Sequence, residues 1–307
     1  MSDHRPLKDA APEPPPRSGR RHPVLGRVAF YGFVLVAVVP ATFCHLLTSP
    51  PGGDSVAPAG FEELALSADG LEHRAFLDPG DPDLSGFVLV HGLGDSPAGM
   101  LPFAHRFRAL GHSVLLPELR GHGASDAATT LGGSERAEVG AALDALAARQ
   151  PGVPLVLMGF SMGSVAALGA AAGRDDLAAV IVEAPYDSYR ETVAHHARLL
   201  YGLPRWVPLI PLSIALAERW AGFDADEIDA VAWTRALRAP LFVIGDGGDA
   251  RMPPEVVRRV FEAHPGPREL WIAPGVGHLG AISHPEYWSR VMRFLSRHGA
   301  LGVPPEA

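Results

Sequence analysis

From residue 61 onward the chain alternates two kinds of pattern. Mainly apolar runs lie within 86–92, 113–119, 154–159, 177–184, 240–245 and 268–275. Runs of this kind predict strands buried on both faces, as in a parallel sheet. Between them lie longer stretches with helical spacing, at 97–111, 134–150, 162–173, 254–263 and 285–298. In the first of these, Phe103, Phe107 and Leu110 share one face. Ser134 reads as the N-cap of 134–150, with Glu135 and Glu138 as first-turn acids. Two shorter runs, EELALS at 62–67 and HRAFL at 73–77, predict an antiparallel hairpin ahead of the series. The order predicts an α/β domain over 61–299, a mostly parallel sheet flanked by helices, with a helical cap at about 186–236.

Ahead of this domain the pattern changes twice. Residues 1–27 are polar and carry PEPPPRSGRRHP, a proline density that predicts a disordered tail. Residues 28–47, VAFYGFVLVAVVPATFCHLL, hold no Asp, Glu, Lys or Arg. At helical rise, ~20 residues span a bilayer core of ~30 Å, so this run predicts a single transmembrane helix. Arg20, Arg21 and Arg27 precede it and the next charge is Asp54. That bias predicts a cytoplasmic tail and an exported catalytic domain. A composition rich in Ala, Arg, Gly and Pro, with Lys8 the only lysine and no asparagine, suggests a GC-rich bacterial genome and so a bacterial cell envelope. A cleaved signal peptide would need a shorter run and a nearby small-x-small site, and Ala57-Pro58-Ala59 is distant and holds proline. Cys44 follows Phe43, not the small residue a lipoprotein requires. A buried core helix is the remaining alternative, since it too can be apolar on all sides, but this run follows a tail predicted to be disordered. Residues 48–60, TSPPGGDSVAPAG, predict a linker.

Composition narrows the chemistry. The chain has 307 residues and a net charge of −8, which gives no reason to expect nucleic acid as a partner. Its single cysteine, Cys44, excludes an intramolecular disulfide and a cysteine-based zinc site. In a parallel sheet the active site lies at the carboxyl ends of the strands, so the residues following each run are the candidates.

Ser161 lies in GFSMG, between an apolar strand and a helix. The pentapeptide alone is a weak signal. Its strand-turn-helix setting is a stronger one, because a serine on so sharp a turn presents its hydroxyl. The bland reading is a tight turn built of small residues. His91-Gly92-Leu93-Gly94 follows the strand ending at residue 90. That turn can aim the Leu93 N–H at the point reached by the Met162 N–H, forming an oxyanion hole, with His91 as a structural hydrogen-bonder. His278, in PGVGHLG, follows a strand near the C-terminus and is the best-placed base of 14 histidines. His112, His264 and His298 sit at element ends, where solvation is expected. Two carboxylates follow the 240–245 run, and either Asp249 or Asp246 can orient the imidazole. Asp249 is preferred, since a turn and a proline-started helix follow it. The chain order is then Ser, Asp, His.

At these residues the sequence resembles the α/β-hydrolase superfamily, in the branch of monoglyceride lipases, related membrane-anchored hydrolases and the so-called serine aminopeptidases. The matching motifs are His91-Gly92, ELRGHGASD at 118–126, GFSMGS at 159–164, EAPYDS at 183–188 and PGVGH at 274–278. The resemblance implies Ser161 as nucleophile, His278 as base, and Leu93 and Met162 as oxyanion donors. It departs from the family at the acid, where Gly248 stands three residues after the strand-ending glycine and Asp249 one later. That keeps Asp246 open. Glu118, where relatives often carry Asp, is given no catalytic meaning. The family also implies that the apolar 199–223 segment belongs to a cap. Its bland reading is cap-helix core, its other an acyl-binding or membrane-facing surface. Pro204, Pro208 and Pro211 interrupt that segment, so it is no second span.

The expected function is cleavage of carboxylic esters or thioesters by a membrane-anchored serine hydrolase acting on a small-molecule or lipid acyl substrate. No metal or organic cofactor is implied. Acyl transfer, peptide hydrolysis and a catalytically silent anchored binding module are the alternatives.

Overall fold

The computed structural model describes residues 23–49, 56–125 and 127–302. The predicted tail up to residue 22 and the linker residues 50–55 lie outside them, whereas residues 23–27 of that tail and Thr48 of that linker are helical, because the apolar helix extends past both predicted ends. Eight strands form one sheet: β1 (Glu62–Ala68), β2 (Leu71–Asp78), β3 (Gly86–Val90), β4 (Ser113–Pro117), β5 (Leu155–Phe160), β6 (Leu177–Glu183), β7 (Leu241–Asp246) and β8 (Arg268–Ala273). Their spatial order is β1-β2-β4-β3-β5-β6-β7-β8. β1 and β2 form the predicted hairpin, β2 pairs antiparallel with β4, and every other pairing is parallel. Of the runs read as doubly buried strands, β3, β4, β5 and β7 are buried at every residue and β6 at all but Ala178, whereas β8, at the sheet's edge, buries only Trp271 and Ala273.

The N-terminal helix comprises α1 (Pro23–Phe33), a π-helical turn (Val34–Val38) and α2 (Val39–Thr48). The domain helices are α3 (Leu101–Arg108), α4 (Glu135–Arg149), α5 (Met162–Ala171), α6 (Tyr189–Tyr201), α7 (Leu209–Ala221), α8 (Ala230–Ala236), α9 (Pro254–Ala263) and α10 (Tyr287–Arg297). One face of the sheet packs against α4, α5 and α9 and continues into the cap helices α6 to α8. The other face packs against α3 and α10, where Phe87 and Phe107 stack at 3.9 Å between ring centroids. Burial of these faces removes the apolar side chains from water, the main force holding the sheet and helices together.

Several local expectations are corrected. The 97–111 stretch splits into a 3-10 turn (Pro97–Met100) and α3, so Leu110 falls beyond the helix and is exposed while Phe103 and Phe107 are buried. Ser134 makes no side-chain cap. Glu135 turns back instead and accepts bonds from the Thr129 and Thr130 hydroxyls and from the N–H groups of Thr130 and Gly132. His112 and His264 are buried, not solvated; His112 packs against the Phe87 ring. Glu118 is also buried, and ties the following loop to the sheet by bonds from Arg74 and from the Ala124 N–H.

The residues Gly26–Thr48 form a helix of 23 residues, long and apolar enough to cross a membrane. Its far end is not bare. α2 packs against cap helix α7, with Pro40, Cys44 and Thr48 buried, and Phe43 meets Tyr201 edge to face at 4.9 Å. The Thr48 carbonyl accepts the Thr129 N–H, fixing the helix end to the loop before α4.

Candidate active site

β5 delivers Ser161 at its carboxyl end and α5 starts at the next residue. The turn has room for only small residues. A Cβ on Gly159 would lie 2.4 Å from the Gly163 carbonyl oxygen, and one on Gly163 would lie 2.4 Å from that of His91. Ser161 is forced into φ 53°, ψ −117°, a region L-residues rarely enter. Its N–H bonds to the Glu183 carbonyl at 2.9 Å, and the Ser164 hydroxyl donates to the Gly159 or Glu183 carbonyl at 2.7 Å. Strain of this kind costs about 1–3 kcal/mol and persists only where the surroundings enforce it.

The turn brings three predicted residues into line. The Ser161 hydroxyl lies 3.0 Å from His278 Nε2, and His278 Nδ1 lies 2.6 Å from Asp249 Oδ2. The other oxygen of Asp249 accepts the N–H groups of Arg251 and Met252 at 2.7 and 3.0 Å. Burial works to raise the Asp249 pKa, but the His278 bond and these amides outweigh it and hold the carboxyl below its ordinary range. Asp246 does not reach His278. It is buried at the end of β7 and accepts the Leu279 and Ala281 N–H groups, both at 2.9 Å.

Met162 is the first residue of α5, and the first N–H groups of a helix have no partner within it. Leu93 lies in the turn after β3, and two histidines hold that turn. The fully buried His91 donates from Nδ1 to the Gly92 carbonyl at 2.9 Å and accepts the Leu119 N–H on Nε2 at 3.3 Å. His122 accepts the Gly94 N–H on Nε2 and donates from Nδ1 to the Arg120 carbonyl, both at 2.9 Å. Burial, with His122 alongside, pushes the His91 pKa down to about 3, so the ring stays neutral. His91 is the structural bonder the sequence suggested. His122, inside ELRGHG, was not singled out; the motif's His next to glycine was the available signal.

Sequence reading also missed a second carboxyl beneath the histidine loop. Glu183 ends β6, accepts the Tyr287 hydroxyl at 3.1 Å on Oε2, and leaves Oε1 buried without a partner. Burial, and the nearby Asp246 charge, push its pKa up to about 8. Burial likewise lifts Asp246, to about 6, against the pull of its two amides and of His278. A carboxyl with a raised native pKa favours the fold while protonated. That stabilisation is complete below the unfolded value of ~4.3 and is lost as pH rises through the native value. Glu183→Gln cannot titrate, so its melting temperature relative to wild type is expected to rise from pH 5 and to level off above about pH 8. Thermal melts across that range check this; a constant difference contradicts it.

A helix-flanked parallel sheet, a strained serine at the β5–α5 turn, and Asp and His on the loops after β7 and β8 give this chain the α/β-hydrolase fold. The family described as Serine aminopeptidase, S33, matches over residues 85–232. The uncharacterized protein YqkD of Bacillus subtilis is 29% identical over 216 residues, covering 68% of this chain and 70% of YqkD. The Pyrococcus furiosus esterase Pf2001 superposes with a TM-score of 0.64 at 22% identity, over 81% of this chain and 96% of the esterase. Pyrococcus horikoshii acylaminoacyl peptidase superposes at 0.59 with 14% identity, over 80% of this chain and 43% of the peptidase. These last two likenesses are of fold.

Proposed function

We propose that this chain is a membrane-anchored serine hydrolase that cleaves carboxylic ester or thioester bonds through an acyl-enzyme. The observation that carries the reading is the unbroken line from the Ser161 hydroxyl through both nitrogens of His278 to Asp249. Ser161 Oγ attacks the substrate carbonyl as His278 Nε2 takes its proton, and Asp249 stabilises the resulting imidazolium. The Leu93 and Met162 N–H groups hold the oxyanion. The tetrahedral intermediate collapses, the leaving alkoxide or thiolate takes the proton from His278, and the acyl group stays on Ser161. Water, deprotonated by His278, then releases the acid and restores the serine.

A fluorophosphonate is expected to label wild-type protein at Ser161, as read by peptide mass spectrometry. Graded p-nitrophenyl esters are expected to be hydrolysed, the chain-length optimum reporting on the cap. Absence of label together with absence of turnover across the series would refute the reading.

Anchoring is part of the proposal. Gly26–Thr48 supplies a span, with Arg27 at its N-terminal end on the side read as cytoplasmic. Packing of α2 on α7 brings the cap to the membrane. There the cap exposes Leu200, Tyr201, Trp206, Leu212, Leu216 and Trp220, an apolar surface suited to the lipid interface and to an acyl substrate drawn from it. A phosphatase reporter fused after residue 60 is expected to be active outside the cytoplasm. An inactive phosphatase with an active cytoplasmic reporter at the same junction would reverse the topology.

A further inference from the structure

Asp246 takes no part in the Ser161–His278–Asp249 line, yet it is fully buried and both its oxygens are engaged. As the last residue of β7 it pairs with Ala273, the last residue of β8, from which the histidine loop departs. Its side chain accepts the Leu279 and Ala281 N–H groups, just beyond His278. Asp246 thus ties the exit of the loop to its return. The tie opposes a real strain: Leu279 has φ 57°, a left-handed conformation that a leucine leaves unless it is held.

Glu183 completes the arrangement from β6. Two carboxyls facing one loop in a dry interior do not both ionise. Glu183, with a single hydroxyl donor on Oε2 and none on Oε1, is the carboxyl that stays protonated, and Asp246, with two N–H donors, is the anion. The Tyr287 hydroxyl on Oε2, the Asp246 carboxylate and, from the histidine loop, the Ala281 N–H that Asp246 accepts are the polar groups that meet Glu183.

We propose that Asp246 is a positioning residue for the histidine: its carboxylate clamps the Leu279–Ala281 backbone and so keeps the His278 ring between Ser161 and Asp249. It acts through His278 and touches neither the serine nor the substrate. The inference rests on the reading of His278 as general base.

The test uses the full-length chain. Asp246→Asn keeps the shape but replaces one acceptor oxygen with a donor. It is expected to lower kcat about 10–100-fold, the scale of a reacting group displaced by about 1 Å, with KM within about twofold. The far-downfield proton NMR signal of the His278 Nδ1–H, shared with Asp249, is expected to broaden or vanish in the variant. A structural role elsewhere would lower melting temperature without moving that signal. Leu279→Gly added to D246N lets the turn hold without a clamp, since glycine adopts the left-handed region freely. The double variant is expected to recover at least half of the lost activity on a logarithmic scale, and it keeps the test decidable if D246N alone folds poorly. Wild-type kcat and an unchanged downfield proton in D246N would overturn the clamp, as would a folded double variant no faster than D246N. Failure of wild type itself to label or turn over would instead overturn the hydrolase reading.

Discussion

Ser161→Ala is expected to lower kcat on any ester the wild-type protein cleaves by about a million-fold, the scale seen when a serine hydrolase loses its nucleophile. The fold should survive, because among the described residues the hydroxyl makes one hydrogen bond, with His278 Nε2, while the turn is held by backbone bonds that alanine preserves. Alanine keeps the strain as well, since φ 53°, ψ −117° suits it no better than serine. Glycine does not. Ser161→Gly should therefore be as inactive as S161A and more stable, by up to about 2 kcal/mol once the entropy of a freer unfolded chain is set against relief of about 1–3 kcal/mol. Steady-state kinetics and thermal melts of both variants decide this. Retained turnover in S161A would remove Ser161 from the chemistry. S161G no more stable than S161A would remove the strain argument while leaving the nucleophile untouched.

The strands and the line of Ser161, His278 and Asp249 were legible in the sequence for one physical reason. A parallel strand covered on both faces must be apolar at every position, and the residues that break the run are the ones left at its carboxyl end. β5 stops at Phe160 and β8 at Ala273, each within two residues of the run's predicted end. Pattern favoured Asp249 but left Asp246 open as the residue that meets His278. Both follow the same apolar run, but Asp246 is still in register with β8 while Asp249 lies past the turn. Chain direction after the strand, a tertiary property, separates them. The same limit hid Glu135 and Glu183, acids whose charge predicts exposure until the partners that bury them are seen. It also hid the packing of α2 on α7, because a run apolar on all sides gives no sign of which side is covered.

Asp249→Asn is expected to lower kcat by about 1,000- to 10,000-fold at neutral pH while leaving the shape of the site intact. The cause is a tautomer, not a lost charge alone. In the native site Asp249 Oδ2 accepts the His278 Nδ1 proton at 2.6 Å, so Nε2 is bare and ready to take the serine proton at 3.0 Å. The other oxygen is committed to the Arg251 and Met252 amides at 2.7 and 3.0 Å. An asparagine must keep its single oxygen on those two donors, so its NH2 faces His278. Nδ1 then becomes an acceptor, the proton moves to Nε2, and the ring points a donor at Ser161 with no lone pair to receive its proton. Asp249→Ala is expected to be less stable than D249N, because it also leaves the two amides of the turn without an acceptor, at about 1–3 kcal/mol for each buried orphan. D249N should still bind substrate, with KM little changed. The kinetics of the two variants, with melts beside them, separate tautomer control from structural support. D249N within tenfold of wild type would return the acid's role to another carboxyl, and Asp246→Asn would then be the variant showing the larger loss.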